Sequence, residues 1–326
     1  MAGQHIGLAG LVCAVSLAVS ACTTDHAAAP GEDTQALSGS VLIEGVRTIS
    51  FSNETPVIVE NARVLIDGGR IAYAGDGARA LRAVSVIDGR GLTLVPGLAD
   101  MHVHVWDEAE LGAYLAHGVT TVRNMSGMPF HLDLAERIAR GDIAGPRLLT
   151  TGPILNSNGP NRQINHQIVE DAESARRAVR WQYETGFRRL KVYSNLTPDA
   201  YDAILSEAAA LGMTISGHTP EGFRHAGIPL ERPFDIAFDD VLDDGFETIE
   251  HVESIAWHGL RATRDETKAR ALAGRIASAG VPVTPTLLAH HNLYRVALEG
   301  ESVLRRPGTE WLNPFEQATE GPSHQR

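Results

Sequence analysis

The chain has 326 residues, 43% of them hydrophobic and 21% charged, which is enough apolar content for a full core and too little charge for a disordered chain. Its 28 basic and 40 acidic residues give a net charge of −12 with no Lys/Arg run, which argues against a nucleic-acid partner. Two cysteines exclude a disulfide-stapled scaffold and a thiolate zinc cluster, whereas 14 histidines call for an explanation.

Residues 6–21 form an unbroken apolar run, short for a membrane span and suited to a signal-peptide core. It ends in Val19-Ser20-Ala21-Cys22, which resembles a bacterial lipobox. The resemblance implies cleavage before Cys22, lipid on its sulfur, and a mature chain anchored on the periplasmic side of a bacterial membrane. The first seven residues depart from the pattern, because they contain no Lys or Arg. Residues 22–37 read as a polar linker. Residues 38–95 alternate apolar and polar positions between Gly-rich turns such as Asp67-Gly68-Gly69, the pattern of a small β-domain.

From 96 to 326 short apolar strands alternate with helical stretches. Strands are expected near Gly97, Thr120, Pro146, Arg188, Met213, Glu247 and Pro282. Helices are expected over 108–118, 131–141, 170–186, 197–212 and 263–280. Thr197-Pro198 predicts an N-cap and first helical residue, with Gly212 as the stop. Thr263 with Glu266 predicts a capping box, with Gly280 as the stop. Such alternation, without a dinucleotide-binding Gly fingerprint, predicts a parallel α/β fold: a (β/α)8 TIM-like barrel short of its last βα unit.

Four histidines fall at the carboxyl ends of these strands. His102 and His104 are spaced i, i+2, which puts both on one face of a strand. His218 ends MTISGH and His251 ends ETIEH. In a barrel those ends converge, and imidazole suits Zn and its transition-series neighbours. Lys191, inside the apolar run RRLKVYS, is costly to bury unless paired or chemically altered.

Together PGLADMHVH (96–104), GVTTVRNMSG (118–127), RRLKVYSNL (188–196), GHTP (217–220), ETIEHVES (247–254) and VPVTPTL (281–287) resemble the amidohydrolase superfamily, in its imidazolonepropionase-like and Xaa-Pro dipeptidase-like branch. The resemblance implies a distorted barrel beside a β-sandwich built from both chain ends. It implies two divalent metal ions, zinc foremost: one on His102 and His104, one on His218 and His251. A CO2-derived carbamate on Lys191 would bridge them. It also implies hydrolysis of amide, peptide or cyclic-amide C–N bonds in a small molecule or short peptide through a hydroxide held between the metals, with an Asp ending strand 8 moving the proton. That Asp is not found, since no aspartate follows Asp265, nor is an eighth strand. The chain therefore reads as a truncated member with an incomplete sandwich. Two alternatives follow: a lipid-anchored metal-binding protein without turnover, or a mononuclear deaminase using His102, His104 and His218.

Among other residues, Tyr193 shares a strand face with Lys191, and Arg162 and His166 lie in a Gly/Asn-rich loop after strand 3. All three are candidates for contact with substrate. Asp100, Thr219 and Glu250 adjoin ligand positions and are expected to support them. His117 reads as a helix-end residue, and His290 and His291 as residues of the site mouth or of solvent. Asp235, Asp239, Asp240, Asp243 and Asp244 read as a solvated helix face opposite the ligands.

Overall fold

The computed structural model describes residues 36–160, 162–223, 231–305, 307–308 and 310. The proposed leader, Cys22 and nearly all of the linker lie outside them. The chain divides into two compact units, residues 1–96 and 97–326.

The first unit contains β1 (Leu37–Ser52), β2 (Thr55–Asp67), β3 (Arg70–Gly75), β4 (Leu81–Asp88) and β5 (Thr93–Leu94). They form one mixed sheet in the order β3-β2-β1-β4, with β5 also on β1. Asn53 and Glu54, and then Gly68 and Gly69, all take positive φ. Two-residue turns of that kind match the twist of the strands they join. Val46, Ala62 and Val64 form the buried cluster of this sheet. The expected sandwich is not seen: the described residues form a single sheet in this unit.

The second unit carries β6 (Leu98–Val103), α1 (Leu111–Ala116), β7 (Val119–Asn124), α2 (Phe130–Arg140), β8 (Arg147–Thr150), β9 (Ile154–Asn156) and β10 (His166–Ile168). There follow α3 (Ala172–Thr185), β11 (Arg189–Val192), α4 (Pro198–Leu211), β12 (Thr214–Gly217), α5 (Phe238–Leu242) and β13 (Thr248–Glu250). Last come α6 (Val252–Ser254), α7 (Glu266–Ala279), β14 (Val283–Thr284) and α8 (Leu287–Glu299). All strands here pair in parallel, in two sheets ordered β6-β7-β8 and β10-β9-β11-β12-β13-β14. The strands β8 and β9, close in sequence, belong to different sheets. Gly152, between them, donates its N–H to Arg189 O at 2.9 Å, so the segment passes from beside β7 to beside β11. No pairing joins β14 to β6 among the described residues, so a parallel α/β fold is present and a closed barrel is not.

Local chemistry explains the helix ends. Thr197 accepts from Ala200 N, Pro198 opens α4, and Gly212 closes it at φ 65°. Asp171 and Ser174 form a capping box on α3. For α7 the expected Thr263 cap is replaced by Asp265, whose carboxylate accepts from Thr267 N and Lys268 N. Thr263 instead donates its own N–H to Leu260 O in the preceding turn. The core runs between strands and helices, with Leu190, Val192, Ile215 and Ile249 packed with Val179, Phe187, Ile204 and Leu272.

Candidate metal centre

His102 lies in β6, His104 just beyond it, Lys191 in β11, His218 directly after β12 and His251 directly after β13. Parallel strands in sequential order bring their carboxyl ends together. The ring centroids of His102 and His104 are 5.6 Å apart, and those of His102 and His251, and of His251 and His218, are each 4.4 Å apart. Lys191 Nζ lies 3.5 Å from His102 Nε2. All five expected ligand positions thus meet at one end of the second unit.

The backbone is bent to achieve this. Gly217 sits at φ 150°, where a Cβ would fall 2.2 Å from Val192 O, so β11 and β12 can approach only because this residue has no side chain. His251 adopts φ 69°, a left-handed conformation that L-residues rarely take, and its Nδ1 lies 2.6 Å from Thr286 Oγ1.

Electrostatics favour neutral donors. Burial drives the imidazolium forms of His102, His218 and His251 far below the usual range, and brings His104 and His166 down to about 4. The nearby Lys191 charge pushes each in the same direction. Lys191 is itself 1% exposed, and burial lowers its ammonium to about 7, against an upward pull from Glu250. No ion pair to Lys191 is formed among the described residues.

Neutral imidazoles with free lone pairs, around an amine that is readily deprotonated, are the donor chemistry of a divalent transition-metal site. As the side chains stand, no three His, Cys, Asp or Glu of the described residues form a closed cage for an ion. The donors fit in kind and in convergence, with the His102 and His251 rings held in hydrogen bonds to Glu250 and Thr286.

The candidates for substrate contact separate. The Tyr193 ring lies between His166 and His218, with centroids 4.7 Å and 4.1 Å away. His166, expected on a loop, opens β10. Its Nδ1 lies 3.2 Å from Asn156 Nδ2, and its buried Nε2 has no hydrogen-bond partner among the described residues. Arg162 is exposed and donates its N–H to Gly159 O; its charge reaches His166 but its side chain is not brought into the histidine group.

Asp100 accepts from His102 N, whereas Thr219 Oγ1 lies 2.9 Å from Nδ1 of His258, a histidine outside the candidate ligand group. His117 Nδ1 is 2.8 Å from Ala113 O at a helix end, as expected. His290 stands 6.0 Å from the His251 ring, and His291 is exposed. The acidic stretch is not one solvated face. Asp235 bonds the loop after β12, accepting from Phe223 N, and Asp244 accepts from the buried Tyr201 hydroxyl at 2.7 Å.

One contribution escaped the sequence, and Glu250, expected beside a ligand, is its partner. Arg123 is buried at the end of β7 and donates to Glu250 at 2.6 Å, and Glu250 lies 2.5 Å from His102 Nδ1. The available signal was an arginine amid the apolar strand TTVRNM, whose burial requires an anion.

No family profile matches the chain. It is 39% identical to an imidazolonepropionase of Streptomyces griseus subsp. griseus over 57 residues, 17% of this chain and 15% of that one. It is 24% identical to an adenine deaminase of Paracoccus denitrificans over 220 residues, 62% of this chain and 35% of that one. The matched stretches therefore span well under two thirds of these relatives' lengths. Among solved structures, a bottromycin amidohydrolase superposes with a TM-score of 0.60 at 22% identity, covering 85% of this chain and 58% of that one. A prolidase complexed with N-methylphosphonate-L-proline gives 0.53 at 20% identity, covering 87% and 88%. At these identities the likeness is one of fold.

Proposed function

We propose that this chain, which resembles the amidohydrolase superfamily in sequence and in fold, is a metal-dependent hydrolase of C–N bonds in a small molecule or short peptide. The observation that supports it most is the meeting of His102, His104, Lys191, His218 and His251 from four parallel strand ends around a buried amine that no carboxylate of the described residues bonds.

In this reading the four imidazoles hold two divalent cations, and Lys191 joins the set as its carbamate. A neutral amine is what reacts with CO2: nitrogen forms the new N–C bond and releases a proton, and a lysine whose ammonium is held near 7 offers that form at neutral pH. Bound there, such cations supply Lewis acidity, lowering the pKa of a water and polarising a carbonyl. The histidine and tyrosine side chains do the rest. Tyr193 and His166 line one side of the group and orient a substrate carbonyl or carboxylate. Arg162, exposed in the loop before β10, attracts an anionic end of the substrate. The chain is exported and anchored through Cys22, a reading supported by the Val19–Cys22 motif; a Cys22→Ala variant that still takes up labelled palmitate contradicts it.

The long match to an adenine deaminase favours a second reading, one metal on His102, His104 and His218. Assaying the zinc-loaded chain on Xaa-Pro dipeptides, cyclic amides and adenine separates the readings. Dipeptide or cyclic-amide cleavage that chelation abolishes and Zn2+ restores supports the first. Ammonia release from adenine alone supports the second. Zinc retained with no turnover favours a metal-binding protein instead.

A further inference from the structure

Glu250 at the end of β13 is fully buried, and Arg123 at the end of β7 is 2% exposed. A buried carboxylate is tolerated only when its lone pairs are used. Arg123 Nη2 donates to Glu250 Oε1 at 2.6 Å, and the Thr248 hydroxyl donates to the same oxygen. That leaves Oε2 for His102, whose Nδ1 is 2.5 Å away. Arg123 is fixed in turn: its Nε donates to Met101 O at 2.8 Å and its Nη2 to Thr284 Oγ1 at 3.2 Å. One guanidinium therefore ties together β6, β7, β13 and β14, strands that no ladder of the described residues connects across the β14–β6 side. The other nitrogen of His102, Nε2, faces Lys191.

We infer that Glu250, held by Arg123, is a positioning residue that fixes His102 as its Nδ1–H tautomer and so aims the Nε2 lone pair into the site. Ion-paired with Arg123 through Oε1, Glu250 accepts through Oε2, so the hydrogen of this bond sits on the imidazole. The tautomer then decides which nitrogen can take a metal, a role that rests on the reading of His102 as a ligand.

Long-range proton–nitrogen correlation on the metal-free, histidine-labelled full chain tests this. His102 is assigned by its loss in His102→Gln. The expected result in the wild type is a protonated Nδ1 and a bare Nε2; a protonated Nε2 overturns the inference. The double variant Arg123→Met/Glu250→Leu removes both charges together, so neither is left buried alone. It is expected to show mixed His102 tautomers and a Zn2+ affinity about ten- to a hundredfold weaker by chelator competition. Glu250→Gln, whose one oxygen is held by Arg123 and Thr248, turns its NH2 toward His102 Nδ1 and is expected to shift His102 to the Nε2–H tautomer and weaken Zn2+ binding. A merely structural role lowers the melting temperature without changing the tautomer. An unchanged tautomer in a folded double variant overturns the inference. If that variant does not fold, the wild-type spectrum and Glu250→Gln decide. Failure of the wild type to bind Zn2+ at all sinks the ligand reading, while the tautomer result still stands or falls by itself.

Discussion

Lys191 is the residue whose placement most needs a chemical reason. An amine that is 1% exposed, with no carboxylate bonded to it among the described residues, costs the fold stability unless it serves a purpose. Lys191→Met, similar in length and apolar, is therefore expected to leave the melting temperature unchanged or raised while lowering bound metal. A lower melting temperature with unchanged metal content contradicts this. His258 illustrates the other kind of buried titratable group, one serving structure. Its Nε2 lies 2.9 Å from Ile236 O and its Nδ1 2.9 Å from Thr219 Oγ1, and burial lowers it to about 4. The unfolded chain takes up this proton near 6.5 and the folded chain only near 4. His258 thus withdraws stability as pH falls through that window, by on the order of 3 kcal/mol in full. His258→Gln is expected to flatten the acid limb of a stability-against-pH curve between 6.5 and 4, and an unchanged slope there contradicts it. The metal-ligand candidates were legible because histidines at strand ends are unusual. His258 was not, because nothing in WHGL distinguishes a core histidine from a solvated one.

At the level of elements, the β11–β12 contact is the most demanding junction. Gly217→Ala places a methyl carbon against Val192 O and should cost about 1–3 kcal/mol while displacing His218. Thermal unfolding together with Zn2+ titration checks this, and wild-type values for both contradict it. The seven expected strands of the second unit and its main helices were legible because period and punctuation coincide. Pro198 and Gly212 bracket α4, and the apolar runs at 189–192, 214–217 and 248–250 are strands. The Thr263 cap failed because capping depends on backbone geometry as well as residue type. Asp265 lies extended at the helix entry, whereas Thr263 is used in the turn before it. The short strand β10 inside an Asn-rich loop had no alternating pattern to reveal it. The Arg123–Glu250 bond joins residues 127 apart, a separation that no local pattern encodes.

For the whole molecule, the parallel order of strands was readable from alternation alone, and closure was not. Closure depends on pairing between the first and last strands, and the described residues provide none between β6 and β14. What spans that side instead is the Arg123 network, bonded to Met101, Glu250 and Thr284. The convergence of the five candidate ligands follows from topology, since each ends or follows a strand of the same polarity. The central claim is that this convergence is a centre for two divalent metals. Elemental analysis of the purified full chain tests it most directly, beside His102→Ala and Lys191→Ala. The account predicts roughly two divalent ions per wild-type chain and fewer in each variant. Metal content unchanged in both variants contradicts it.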